Sequence, residues 1–455
     1  MKRHVQTQHA TRMTEGPIAR QLISFAFPLL LGNIFQQLYN TVDTWVVGNF
    51  ASNEAYSAVG NVGPIINTLI GIFTGLASGA GVVISQFYGA HRAEDVRKAV
   101  HTSIVMTLAL ALLFTGLGIA IVPFMLDLMN MPESVKPEAA TYLTIYFAGI
   151  VGLMLYNMGA GILRAVGDSQ RPFYYLVACA VINTVLDLLF VLVLDMGVAG
   201  VAWATVLSQC ISAVLVLIHL MRTHSDIRLE LKHLTLHWPT LKKIFSVGTP
   251  AALQMAVTSF SNVFIQSYVN FFGAEFMGGW TSFSKIEQFL LLPMSSISLA
   301  CTTFVGQNLG SGQEARAKKG VSISMALAVG ITVALAIPIM VFAEPFVTFF
   351  NAAPNVVAYG TMLLHWMTPC YLLVCINSIH TCALRGAGNS KVPMIIQLAT
   401  YVAFRLVYME IMSNVCNEII PIVMAYPAGW LLAVIANGIY YHRVPLSKTR
   451  LVEQK

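Results

Sequence analysis

The sequence is poor in charged residues. Asp, Glu, Lys and Arg make up 10% of its 455 residues, against about 25% in an ordinary soluble domain. Apolar residues make up 56%. This balance excludes a soluble enzyme. At about 20 residues for each membrane-spanning helix, plus a connector, the length allows about twelve crossings of a bilayer and leaves little for an extramembrane domain.

Chemical motifs are also scarce. The seven cysteines fall inside apolar runs, and the chain has no C-x-x-C pair and no histidine cluster at metal-ligand spacing. The net charge of +6 is typical of a membrane protein with basic cytoplasmic loops. We therefore expect no nucleic-acid partner, no cofactor and no obligate protein partner. The absence of a catalytic constellation also argues against an enzyme.

Twelve apolar runs are each long enough to span the membrane as a helix, and no alternation of period two is sustained. The runs cover approximately residues 20–47, 56–84, 99–123, 139–163, 172–194, 197–221, 243–270, 279–306, 320–343, 358–383, 392–413 and 418–441. The sequence thus predicts an all-α integral membrane protein. Its expected parts are a tail at 1–19, a six-helix lobe at 20–221, a linker at 222–242, a second six-helix lobe at 243–441 and a tail at 442–455.

The basic residues predict the orientation. With the N-terminus inside, all 26 Lys and Arg except Lys136, Lys285 and Arg405 fall on the cytoplasmic side. A shift by one span would invert this asymmetry. We therefore expect a multi-pass protein of the cell (plasma or inner) membrane with both termini in the cytoplasm.

The two halves of the chain repeat each other. Four motif residues of the first half recur 221 residues later, and earlier in each half the offset is 222. The pairs include Gln86 and Gln307, Gly89 and Gly310, Arg164 and Arg385, Pro172 and Pro393, Pro28 and Pro250, and Asn40 and Asn262. Six spans are an even number, so the copies are related by an axis along the membrane normal, with a central cleft between them. Such paired lobes are typical of transporters, although duplication retained only for stability is an alternative.

Two acids stand inside apolar spans of the first half. A charge near the bilayer centre costs roughly 2.5–3.5 kcal/mol, so each of them needs a reason. Asn183 precedes Asp187 by one helical turn, and Thr205 lies on the next span. If Asp43 on the first span meets them, the group can take up a proton or ligate a hard cation such as Na⁺. Sequence alone does not choose between the two ions.

The second half lacks this acidic pattern. Phe404 and Tyr408 stand where Asn183 and Asp187 would recur. Other charges lie in its spans, namely Lys285, Glu287, Arg405 and Glu410. Ion pairing between helices is one interpretation of these four charges. The other is that Lys285 and Glu287 line the cleft.

Amides inside spans should face the bundle rather than lipid. They give a candidate substrate cleft of Gln36, Tyr39, Asn40, Asn157, Gln254, Asn262 and Gln266, together with Lys285 and Glu287. Pro28, which removes one helical hydrogen bond, is a candidate bending point for the first helix.

Four segments carry a resemblance to a known family. They are PLLLGNIFQQLYNTVDTWVVGNF at 28–50, SQFYGAHRAEDVRKA at 85–99, and the paired LRAVGDSQRP at 163–172 and LRGAGNSKVP at 384–393. In this order, with the repeat, they resemble prokaryotic members of the multidrug and toxic compound extrusion (MATE) family across about residues 14–441.

The resemblance implies two six-helix lobes in a V-shaped bundle and export of cationic, amphipathic drugs in exchange for Na⁺ or H⁺. It also implies a cation site at Asp43, Asn183, Asp187 and Thr205. Some members instead use acids on the seventh and tenth spans, where this sequence has none. A lipid-linked saccharide flippase and a membrane enzyme or receptor remain alternatives.

Overall fold

The computed structural model describes residues 12–50, 52–129, 131–416 and 418–452, and all regular structure in these ranges is helical. The first half contains α1 Ile18–Phe50, α2 Asn53–Gly89, α3 Ala93–Leu128, α4 Lys136–Ala148, α5 Ile150–Ala165, α6 Gln170–Leu188 and α7 Gly197–Arg222. A π-helical turn, Leu189–Val193, extends α6.

The second half contains α8 Trp238–Phe271, α9 Ala274–Gly310, α10 Glu314–Val341, α11 Ala343–Phe350, α12 Pro354–Met367, α13 Tyr371–Gly386, α14 Lys391–Gln397, α15 Arg405–Val415, α16 Ile419–Val423 and α17 Ala425–Arg443. A π-helical segment, Leu398–Phe404, joins α14 to α15.

Long apolar helices account for the predicted spans. Among the described residues ten continuous stretches are long and apolar enough to cross a membrane, and α4 with α5, bent by 48°, makes an eleventh. The amide-bearing α8, of 34 residues, stands at the place of the seventh predicted span. The prediction of an all-α bundle of apolar spans is confirmed, and the helix ends lie within a few residues of those predicted.

The chain forms two compact units. One comprises Pro28–Gly248 with the N-terminal residues through Arg12, and the other comprises Met13–Phe27 with Thr249–Lys455. The boundary between Phe27 and Pro28 lies within α1, which continues through Pro28 as one helix. The start of the chain is held in the second unit, where the Met13 N–H donates to Gln307 Oε1 at 2.8 Å.

Each unit has its own apolar core. Leu143, Ile150 and Val201 are at most 1% exposed in the first, as are Phe276 and Leu363 in the second. Large apolar side chains also lie on the outside, including Leu112, Leu128, Val193, Val341 and Phe349. Helices in lipid associate by close packing rather than by hydrophobic exclusion from water, so this outer surface suits contact with lipid.

The internal repeat is visible in the backbone. The first unit breaks its fourth span at Gly149, and the second breaks the equivalent span at the 3₁₀ turn Thr368–Cys370, 221 residues on. Gly167 and Gly388, also 221 apart, both adopt positive φ, of 91° and 99°. The two units therefore share local geometry, whereas their π-helical segments lie at different positions.

Candidate functional site

Three polar side chains lie buried along α6 and α7 of the first unit. Asn183 is 1% exposed, Asp187 0% and Thr205 7%. Asn183 and Asp187 share one face of α6 because they are one turn apart, and α6 packs along α7, which carries Thr205. The structure thus places three of the four predicted coupling residues on two adjoining helices. The fourth, Asp43, lies on α1, and its side chain is outside the described residues.

The chemistry of this group suits a small hard cation or a proton. Among the described residues, the Asn183 amide oxygen and nitrogen and the Thr205 hydroxyl have no hydrogen-bond partner. Buried polar atoms ordinarily have one. Carboxylate, amide and hydroxyl oxygens are ligands for hard cations, so the donor set fits either ion. The π-helical turn that directly follows α6 is a feature frequent at functional sites.

A cavity of about 120 Å³ lies in the same unit. Its lining comes from α1, α2, α5, α6 and α7 and combines amides and phenols with apolar groups. The lining residues are Pro28, Leu29, Gly32, Asn33, Gln36, Tyr39, Ile70, Leu153, Tyr156, Asn157, Arg164, Pro172, Phe173, Leu176, Cys179 and Gln209. This mixture of polar and apolar groups is typical of small-molecule sites.

The cavity continues toward the buried polar group along two helices. Cys179 lines the cavity, and Asn183 and Asp187 follow it at intervals of four residues on α6. On α7, Gln209 lines the cavity and Thr205 precedes it by four residues. Because four helical residues advance about 6 Å, the polar group begins one helical turn beyond the cavity lining.

The predicted cleft residues separate into several environments. Gln36, Tyr39 and Asn157 line the cavity, and so does Pro28. Asn40 is exposed on α1.

The other predicted cleft residues belong to the second unit. Gln254 hydrogen-bonds Gln397, and Gln266 donates to Asn270 Oδ1 at 2.9 Å. Lys285 is exposed on α9. The side chain of Asn262 lies outside the described residues.

Other charges of the second unit form a network with aromatic residues. Arg405 is 3% exposed, and its guanidinium carbon lies 4.2 Å from the Tyr426 ring centroid and 5.4 Å from that of Tyr401. Glu287 has the Tyr371 hydroxyl as its hydrogen-bond partner. Arg405 and Glu287 make no ion pair within 4.0 Å among the described residues. Cation–π contact, rather than charge pairing, thus accounts for the buried guanidinium.

Glu410 has a different partner. Its carboxylate accepts a hydrogen bond from the Tyr268 hydroxyl at 2.7 Å, which joins α15 to α8.

Several cavity residues were not among the predicted site residues, notably Arg164, Tyr156 and Phe173. Arg164 is recognisable in the sequence as one member of a repeated pair, but its spacing alone does not indicate that it lines a cavity. The aromatic residues carry no signal that separates them from ordinary packing residues.

Comparison with known proteins identifies the family. The MatE family model matches residues 28–189 and 250–409. The probable multidrug resistance protein YpnP of Bacillus subtilis is 30% identical, covering 88% of this chain and 89% of its own. The probable multidrug resistance protein NorM of Thermotoga maritima is 25% identical, covering 86% and 84%.

A solved structure of an outward-facing multidrug resistance MATE family transporter of the MOP superfamily matches with a TM-score of 0.89. It covers 97% of this chain and 99% of its own at 22% identity, and so supports the fold. The predicted fold class is confirmed. With the family model matched in both halves and a relative 30% identical over most of the chain, this multi-pass membrane protein belongs to the MATE family of multidrug transporters rather than to a class of enzymes.

Proposed function

We propose that this chain is a secondary antiporter that exports amphipathic drugs and toxic organic compounds in exchange for H⁺ or Na⁺. The observation that carries the proposal is the fully buried Asp187, placed two helical turns beyond the lining of a cavity on the same helix. The cavity takes the organic compound, and Asp187 with Asn183 and Thr205 takes the ion. We place the protein in the cell (plasma or inner) membrane with both termini in the cytoplasm.

Coupling requires that ion binding favour one conformation over another. A carboxylate in a dry site is costly when charged and alone, so H⁺ or Na⁺ stabilises the arrangement in which oxygens from α6 and α7 converge. Asp43 brings α1 into the same group. Pro28, which removes one hydrogen bond of α1, lets that helix bend and change the shape of the cavity that it lines.

The proposal is tested with the purified protein in vesicles under an imposed pH or Na⁺ gradient. The cargo is a panel of amphipathic dyes that carry net positive, zero or negative charge. We expect gradient-driven dye movement in the wild type and its loss in Asp187→Asn, because an amide cannot take up a proton and binds a cation weakly.

The matched control is Asp195→Asn, the same substitution at an exposed acid eight residues later. Asp195 has a positive φ of 50°, a conformation that asparagine tolerates well. This variant should transport as the wild type does. Undiminished export by Asp187→Asn under both gradients would refute the coupling role, and the gradient that drives the wild type identifies the ion.

A further inference from the structure

The repeated arginines, Arg164 and Arg385, have different surroundings in the two units. In the second unit Arg385 donates to Gln254 Oε1 at 3.3 Å, and the Gln254 amide nitrogen donates in turn to Gln397. Two glutamines on α8 and α14 thus satisfy part of this guanidinium.

The equivalent positions in the first unit carry no amide. Gln254 corresponds to Gly32 in the 222 frame, and Gln397 corresponds to Leu176 in the 221 frame. The equivalence holds in space, because a Cβ on Gly32 would lie 3.4 Å from Leu176 Cδ2. The same helix pair therefore meets at the same place, but a glycine and a leucine replace the two glutamines.

The consequence is a guanidinium that faces the cavity. Arg164 lines it, and no hydrogen bond or ion pair joins its side chain to any residue that the structure describes. The nearby acid Asp168 is engaged with Arg171, whose guanidinium donates to it at 2.8 Å. Arg164 is also the single charged residue among the described residues of the lining.

The chemistry of this lining selects a ligand class. A guanidinium binds a carboxylate through two parallel hydrogen bonds. Phe173, Tyr156 and Tyr39 offer aromatic faces beside it, and Gln36 and Asn157 offer neutral polar groups. A bare organic cation finds no acid in this lining and meets a like charge at Arg164.

We propose that Arg164 is a specificity-determining residue that binds the carboxylate of aromatic, amphipathic cargo, so that acids and zwitterions are preferred over the matching neutral compounds. This inference rests on the proposed function, because it takes the cavity as the cargo site. It adds the charge of the group that the cavity recognises.

The test is ligand binding without any gradient. The protein in lipid nanodiscs is titrated with dansylglycine and with dansylglycinamide, which differ only in carboxylate against amide, and emission is corrected for empty nanodiscs. We expect the wild type to favour the acid by about tenfold, as for one charge-assisted hydrogen-bonded pair. Arg164→Gln should bind the two equally, and Arg164→Lys should retain part of the preference.

Two further variants separate recognition from structural damage. Gly32→Gln combined with Leu176→Gln rebuilds the arrangement of the second unit, keeps Arg164 and should also remove the preference. Arg385→Gln, the equivalent substitution in the second unit, should leave it unchanged.

Equal or weaker binding of the acid by the wild type, including no binding of either compound, overturns the proposal. So does a preference that survives in Arg164→Gln. Asp187→Asn should keep the preference while losing coupled export, so failure of the ion-coupling scheme and failure of this inference give different results.

Discussion

Asn377 is the centre of a buried polar chain in the second unit, and its removal should destabilise the protein measurably. Its Nδ2 donates to the Tyr401 hydroxyl at 3.0 Å, and its Oδ1 accepts from Asn437 Nδ2 at 2.8 Å. Asn377 is 3% exposed and Asn437 0%. The chain joins α13, α17 and the π-helical segment that carries Tyr401, whose ring lies beside Arg405.

The magnitude follows from what Asn377→Ala leaves behind. Hydrogen bonds between membrane helices contribute on average about 0.6 kcal/mol each, and a buried polar group left without a partner costs about 1–3 kcal/mol. Two lost bonds and the unpaired Asn437 amide together give about 2–4 kcal/mol. Asn437→Ala removes one of these bonds and should cost about 1–2 kcal/mol. Because the two substitutions remove a shared bond, the double variant should cost about 1 kcal/mol less than their sum.

The free energy of unfolding is measured in mixed micelles with increasing SDS, followed by tryptophan fluorescence. Asn355→Ala is the control, because Asn355 is exposed and donates to Glu275 at the surface, and it should change stability by less than about 0.5 kcal/mol. Strict additivity of Asn377→Ala and Asn437→Ala, or stability of Asn377→Ala equal to that of the control, would refute the network.

Two other changes test packing and the linker. Gly118→Ala should destabilise the first unit by about 1–3 kcal/mol, because its Cβ would lie 2.1 Å from the Phe147 ring, whereas Gly116→Ala on the same helix meets nothing within 4 Å and should be neutral or slightly stabilising. Equal SDS midpoints for the two variants would contradict this packing. In the linker, the hydrogen bond from His233 lowers the pKa of Glu230 from 4.5, so its contribution is present above pH 4.5 and is lost as the pH falls through the lowered pKa. The stability difference between wild type and Glu230→Gln should therefore shrink below pH 4.5 in thermal unfolding, and a difference that grows on acidification would exclude this role.

The helical spans were predictable because lipid imposes a simple rule. A crossing needs about 20 apolar residues in a helix, and the charges that mark its ends are easily read. Internal breaks are harder to predict. The bend at Gly149 follows no proline, and it corresponds to a 3₁₀ turn in the second half. The break depends on how α4 and α5 pack against α7, where a Cβ on Gly149 would meet Val206, and this contact is not legible along the chain.

The candidate site was predictable in proportion to the cost of its residues. Asp187 and Asn183 stand out because a polar group in an apolar run is costly, and the structure places them together. Arg164 stands near the end of α5, where charge costs little, so the sequence does not show that it lines a cavity. Gln254 was grouped with cleft residues because every amide within a span should face the bundle. Which neighbour it meets depends on helix packing, and Gln397 is 143 residues away.

The comparison of the units explains why one of them carries the proposed site. A polar group inside a membrane protein needs a partner from protein, water or ligand. The second unit supplies its own, since Gln254 and Gln397 serve Arg385, and Trp430, at the position of Gln209, packs on Tyr371. In the first unit the equivalent positions leave room. Its polar groups at Arg164, Asn183 and Thr205 lack partners among the described residues. A duplicated scaffold that satisfies such groups in one copy and leaves them available in the other assigns binding to the copy in which they are available.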